Sequence, residues 1–367
     1  MYLFCMVIFP VFIIFFFTSL LNEGLPEKMP VGVVDLDDTP TTRSMIRKLN
    51  TFQATDVVAK YASVSDARTA MQRNEIYAFL YIPQRMTEDL LASRQPKISF
   101  YYSNVSITAG SLLFRDLKTI SLLGSAAVSS SVMSAKGYTE KQIRTFLQPV
   151  TIDLHQIGNP WANYNIYLST MLIPGILMLF IFLVTAYSLG TELKFGRAKE
   201  WIAMSGDNLF VALAGKLLPQ FLVFSVVTFG YMFYVFDLLN FPHPGGIGVL
   251  MLLGLLSVIA SQGLGVFMFG LTPSLRMSMS LCSLWGVVSF SICGATFPVF
   301  SMDSSLEVLS FLFPLRHYYM IYQICIFNGF PLSDAWTNIL SLMVFSCLPL
   351  FIASRLKMAM QQFTYIP

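Results

Sequence analysis

The sequence predicts an α-helical polytopic membrane protein: six transmembrane helices, with an α/β extracytoplasmic domain between spans one and two. Three observations predict it. Fifty-five per cent of the 367 residues are hydrophobic and 12% charged, and the mean hydropathy is +0.65, a balance foreign to soluble globular domains. The charges are also segregated. Of 23 basic and 20 acidic residues, 28 lie between Glu23 and Asp153. On either side of that stretch run apolar segments long enough to cross a hydrocarbon layer of about 30 Å as helices.

The first span is residues 3–21, uncharged and about 28 Å long as a helix, with Pro10 as a kink point. It reads as a retained anchor, because a basic n-region and a small-residue cleavage site are both missing. Residues 23–165 form the water-facing insert. Apolar, β-branched runs at Val31–Asp35, Thr55–Tyr61, Ile76–Ile82 and Lys97–Tyr102 alternate with helical patterns at Thr41–Leu49, Ser65–Arg73 and Gln84–Ala92. That alternation predicts a small α/β domain with a largely parallel sheet. Pro40 suits a first helical position, capped by Asp38 or Thr39, and Ser65 opens the next helix. A long helical pattern from Val105 to Ser134 and a second at Thr139–Leu147 form a stalk. Asn159-Pro160-Trp161, with Tyr164 and Tyr167, reads as an interfacial belt.

Spans two to six are placed at 166–189, 209–236, 247–271, 277–298 and 337–354, followed by a tail, 355–367. Loop 190–208 carries Lys194, Arg197 and Lys199. With Lys216, Arg276, Arg355 and Lys357 it gathers seven basic residues on one face, against Arg316 alone on the other. Positive charge marks the cytoplasmic side. Both termini are therefore expected in the cytoplasm of a multi-pass inner-membrane protein, with residues 23–165 outside. Residues 299–336, broken by Pro314, Gly329 and Pro331, read as two half-helices dipping in from the outer face, their irregular backbone buried in protein.

The five cysteines, Cys5, Cys282, Cys293, Cys325 and Cys347, form no CxxC pair and no disulfide framework. No basic tract points to nucleic acid. No GxxxxGK[ST] occurs, so the chain has no P-loop of its own. No Asp, Glu or His sits near the centre of a predicted span, where a proton relay would be expected. Lys216, about two turns into span three, reads as a snorkelling inner-face anchor. The motif Asp35-Leu36-Asp37-Asp38-Thr39 at a strand end resembles the nucleophile motif of haloacid-dehalogenase phosphatases. That chemistry also needs a downstream lysine and a late acidic pair for the metal; the insert offers Glu88-Asp89 in mid-helix but no GDxxxD-like cluster at a strand end, and a strand end plus helix cap accounts for the same residues. His155 with Asp153 forms a further polar pair.

Placed on one helix from Phe195 to Met204, Phe195, Ala198, Trp201 and Ile202 share an apolar arc, while Arg197 and Glu200 face away from it. This predicts a short amphipathic helix on the inner surface, with Asp207 or Asn208 capping the next span.

The order of parts is similar to the permease subunits of bacterial type-2 ABC exporters, in the drug- and lipid-exporting branch. Glu192 through Glu200, with Gly196-Arg197-Ala198-Lys199-Glu200-Trp201, resembles that family's E…(R)GT-x-E-x-L loop. Gly215-Lys216-Leu217-Leu218-Pro219 resembles its GK-x-x-P/V opening of span three. Phe313-Pro314-Leu315-Arg316-His317-Tyr318-Tyr319, followed by Gly329, is similar to its FP-x-(R)-x-(Y/F) segment. Val31-Gly32-Val33-Val34-Asp35 is like its VxVVDxDxS start. Arg197-Ala198 stands where the family often has Gly-Thr. The basic amphipathic helix that precedes span one in the family is missing, which leaves room for a natural start upstream of Met1.

The resemblance implies a transport subunit without catalytic residues, cofactor or metal of its own. ATP and magnesium would be bound by a separate ABC ATPase docked on Glu192, Phe195, Gly196, Arg197, Glu200, Trp201 and Ile202. It also implies a second permease subunit, identical or not, in the lipid bilayer. A periplasmic adaptor with an outer-membrane channel, and an outer hairpin at Pro314, Arg316, His317 and Tyr318, complete the expectation. The cargo would be amphipathic, lipid-like or drug-like. Two alternatives stay open: a membrane-anchored extracytoplasmic sensor, and a membrane-tethered phosphatase using Asp35 and Asp37.

Overall fold

The computed structural model describes residues 2–362 apart from 93, 95, 150–154, 156–158, 160 and 161. In chain order the elements are α1 (Phe4–Leu20), β1 (Met29–Asp35), α2 (Pro40–Leu49), β2 (Thr55–Lys60), α3 (Val64–Gln72), β3 (Ala78–Ile82), α4 (Met86–Leu91), β4 (Ser99–Tyr102), α5 (Ile107–Ala135) and α6 (Glu140–Leu147). There follow α7 (Tyr164–Lys194), α8 (Ala198–Met204), α9 (Leu209–Leu238), α10 (Ile247–Leu271), α11 (Leu275–Ile292), α12 (Ser304–Ser310), α13 (Pro314–Ile321) and α14 (Trp336–Gln362). Residues 25–155 form one unit, and residues 1–24 with 156–367 the other.

The smaller unit is a four-stranded sheet in the order β2-β1-β3-β4. β1 runs parallel to β2 and β3, and β4 is antiparallel to β3. Val31, Val33, Leu80 and Ile82 pack one face against Leu49 of α2 and Leu113, Leu117 and Ile120 of α5. Val34 and Phe79 pack the other against Ala67 and Ala70 of α3. Burial on both faces explains why β1 and β3 read as continuous apolar runs rather than alternating ones.

The Asp35–Thr39 motif is spent on local structure. Asp35 is buried and accepts hydrogen bonds from the amides of Asp37 (3.2 Å) and Asp38 (3.0 Å) and from the Thr42 hydroxyl (2.9 Å). Asp37 Oδ2 accepts from the Thr39 hydroxyl and from the amide and hydroxyl of Thr87. Thr39 closes a capping box on α2, so it rather than Asp38 is the cap. Asp38 instead takes a positive φ of 45° and pairs with Lys60 at 2.9 Å, whose hydrogen bond and charge hold its carboxyl below the usual range. One start is corrected: Ser63, not Ser65, caps α3, its hydroxyl accepting from the Asp66 amide.

Among the described residues of the larger unit five helices are long and apolar enough to cross a membrane: α7, α9, α10, α11 and α14 with its preceding turn. α1 is shorter, at 17 residues, about 25 Å. It opens with a π-turn, Phe4–Ile8, and Pro10 follows at the start of its α-helical part.

α10 occupies the middle of this unit, packed by α7, α9 and α14, while α11 lies on α7. Small residues along α10 allow the approach. A β-carbon on Gly265 would stand 2.9 Å from Thr185 of α7, and one on Gly263 would stand 2.3 Å from the Phe345 carbonyl of α14. Close contact through small side chains is how helices associate where apolar burial alone gives no preference over lipid.

Several boundaries differ from expectation. α7 continues five residues past the predicted span end, to Lys194, and α14 runs through Arg355 and Lys357 to Gln362 rather than ending at 354. A helix leaving an apolar layer keeps its backbone hydrogen bonds in water, so charge alone does not stop it. The tail is thus helical to Gln362, and residues 363–367 lie outside the described ones. So do Asp153, expected beside His155, and Pro160 and Trp161 of the expected belt.

Candidate functional site

The turn between α7 and α9 is built by two helix stops. Gly196, at φ +69°, ends α7 in a Schellman turn: its amide reaches the Leu193 carbonyl, and the Arg197 amide reaches that of Glu192. Gly206, at φ +65°, ends α8 in the same way, on Ala203 and Ile202. Asn208 rather than Asp207 then caps α9, accepting from the Phe210 and Val211 amides. The expected helix from Phe195 to Met204 is therefore shorter, because the left-handed glycine separates Phe195 from it. Phe195 caps α7 instead, and its ring is exposed.

What remains is a seven-residue helix fixed by one face. Ala198 and Ile202 are buried against Leu193 of α7, Leu209 and Leu213 of α9, Phe269 of α10, and Leu356 and Met360 of α14. Arg197, Lys199 and Glu200 are exposed, as are Phe195 and Met204. Arg197 and Glu200 form no ion pair with each other among the described residues; Arg197 lies 5.5 Å from the Phe195 ring. Met204, 81% exposed, was missed by the sequence reading. A methionine at the end of an apolar arc was its only signal.

Behind α8, three of the expected residues converge. Lys216 of α9 donates to the Glu192 carboxylate of α7, both side chains being mostly buried, and its ammonium lies 5.3 Å from the centre of the Trp201 ring. This corrects the snorkelling reading: the charge is paired inside the protein rather than led out to water. The pair ties α7 to α9, and the indole ties both to α8. Replacing Lys216 by Met should lower stability by about 1–2 kcal/mol, between the values for exposed and fully buried pairs. Glu192→Gln added to Lys216→Met should recover most of it. Thermal unfolding of the purified protein in detergent checks this, and equal losses in the single and double variants would contradict the pairing.

The other expected cluster lies at the opposite end of α14. Pro314 opens α13, whose N-cap is Phe313. Arg316 is 5% exposed, with its guanidinium carbon 3.9 Å from the centre of the Phe311 ring, and its Nε and Nη1 have no hydrogen-bond partner among the described residues. The buried His317 bonds Asn338 of α14 through Nδ1 (2.9 Å), and its Nε2 donates to the Phe311 carbonyl (3.0 Å). Tyr318 is buried. Trp285 of α11 stacks on Phe313 at 4.7 Å and donates its indole N–H to the Leu312 carbonyl. Two short helices, α12 and α13, replace any clean crossing here. The structure thus gathers the expected residues into two groups, around Glu192–Lys216 and around Pro314–Tyr318, joined by α14.

The profile of a family described as ABC-2 family transporter protein matches residues 1–355 of the chain. The chain is also 22% identical over 328 residues to the inner membrane transport permease YhhJ of Escherichia coli (strain K12), spanning 89% of this chain and 84% of that protein. The permease of the same name from Shigella flexneri matches to the same extent.

Proposed function

This chain belongs to the ABC-2 transporter family, and from that premise we propose that it is the permease subunit of an ATP-driven exporter in the bacterial inner membrane. Family membership implies an ABC ATPase as partner. The observation that carries the docking assignment is the α8 corner. One face is anchored in the bundle by Ala198 and Ile202, and the other presents Phe195, Arg197, Glu200 and Met204. A rigid, half-apolar projection with uncommitted charges is suited to receive a push from a neighbouring subunit.

In this reading α1 is the first of six spans, both termini are cytoplasmic, and the α/β unit stands outside the membrane. ATP and magnesium are bound by the partner, and two permease subunits line the path for an amphipathic, lipid-like or drug-like cargo. An adaptor leading to an outer-membrane channel meets the α/β unit. α12 and α13 form the re-entrant hairpin at the exit, and Asp35 and Asp37 brace the α/β unit rather than react.

Affinity purification of the intact chain from its native membrane is expected to bring down a P-loop ATPase in near-stoichiometric amount. Its reproducible absence, with a ligand-dependent signalling partner in its place, would overturn the exporter in favour of a sensor.

A further inference from the structure

The end of α9 remote from α8 is a π-turn, Phe233–Leu238, after which the chain turns back through Asn240–Gly246 into α10. Between these helix ends lies a cavity of about 340 Å³, within the range of small-molecule sites. Phe229, Met232, Phe233 and Met251 are among its apolar walls, and Asp237 and His243 are the ionisable groups that line it among the described residues. Phe233 and Met251 are partly exposed, so the cavity opens on the outside of the bundle.

The polar pair has one hydrogen-bonding sense. His243 Nδ1 lies 2.9 Å from the Phe241 carbonyl, which can only accept, so Nδ1 carries the proton and Nε2 of the neutral ring is an acceptor. Neither Nε2 nor the Asp237 carboxylate has a protein donor among the described residues. The wall of an apolar cavity therefore carries a negative charge and a second acceptor, neither of them taken up by a protein donor among the described residues.

The turn that holds them is fixed. The Gly245 amide donates to the Ile326 carbonyl at 3.1 Å, and a β-carbon on Gly245 would stand 1.9 Å from the Cys325 carbonyl. Phe236 packs between His243 and Tyr322, at 5.6 and 6.3 Å between ring centres. π-Turns recur at functional sites because they re-aim the residues they carry.

We propose that this cavity binds an amphipath with a primary ammonium head. The head would be held by Asp237 and His243 Nε2, and the hydrocarbon would lie among Phe229, Met232, Phe233 and Met251. An ammonium supplies the donors and the charge that the pair lacks, whereas a carboxylate would be repelled and an alcohol would gain no charge pairing. That the occupant is transported rests on the permease reading; that it binds does not.

The test is equilibrium dialysis of radiolabelled dodecylamine against the full chain in phosphatidylcholine nanodiscs at neutral pH, with dodecanol and dodecanoate as controls. Saturable binding of one amine per chain is expected, together with about tenfold or greater preference over both controls, a factor worth about 1.4 kcal/mol. Asp237→Asn, an exposed substitution that should leave thermal unfolding unchanged, is expected to remove that preference, and Met251→Trp to exclude the chain. Equal binding of the three amphipaths, or an unchanged preference in Asp237→Asn, would overturn the site. Replacing half of the lipid by phosphatidylethanolamine identifies the source: competition assigns the occupant as an aminolipid headgroup, and its absence assigns a free amine. No ATPase is present, so a failure here leaves the exporter reading standing, and a failed co-purification leaves the binding result standing.

Discussion

Gly263→Val is expected to leave the membrane unit unable to assemble. A β-carbon at this position falls 2.3 Å from the Phe345 carbonyl oxygen and 3.0 Å from the Ser346 Cα, so the obstacle is backbone and cannot rotate away. The carbonyl is itself unusual. Pro349, four residues on, has no N–H to donate to it, and a proline ring presses on the carbonyl at that spacing. α14 therefore offers α10 a carbonyl without its usual i+4 donor, and glycine is what allows the two helices to close over it. Overpacking a core costs about 1–3 kcal/mol when side chains can yield; against main chain the loss should exceed that. Gly248→Val, at a position of α10 with nothing within 4 Å, is the matched control. Size-exclusion profiles and thermal unfolding in detergent should show the control folded and Gly263→Val aggregated or absent. Equal behaviour would mean that α10 and α14 do not meet at this glycine.

The second large effect is expected from reversing two exposed charges that form no ion pair with each other. Arg197→Glu with Glu200→Arg touches exposed side chains with no ion pair between them, so the unfolding temperature should stay at the wild-type value. ATPase retained on purification should fall about tenfold or more, the range for charge misplacement at a docked surface, and ATP-driven export should fall with it. Wild-type retention and export in the double variant would move the docking surface elsewhere.

How much of this was legible follows from which forces act locally. The strands were readable within two residues because turn residues bound β-branched runs, and the long spans because uncharged length has few other uses. Helix ends were not, since α7 and α14 carry charge past the apolar layer and only Gly196 stops the first. Phe195 was misplaced for the same reason: periodicity put it on an arc, and a left-handed glycine took it off. Glu192 and Lys216 were each visible as charges near one end of a span. Their pairing depends on how α7 and α9 lie side by side, and no pattern in either segment records that. The cavity at Asp237 needed the π-turn, which shifts a residue relative to any regular helix and so leaves no periodic trace.

α14 touches both groups of expected residues. At one end Leu356 and Met360 bury the α8 side chains, and Arg355 and Lys357 hold the carbonyls of Leu271 and Asp207. At the other end Asn338 holds His317. Twenty-seven residues of continuous helix, about 40 Å long, make it a connecting rod. In the docking reading proposed above, a stroke delivered to α8 would not have to pass through the bundle core, because α14 would carry it to His317 as the displacement of a single stiff part. Pro349 lies within that helix, four residues beyond the carbonyl on which Gly263 of α10 closes.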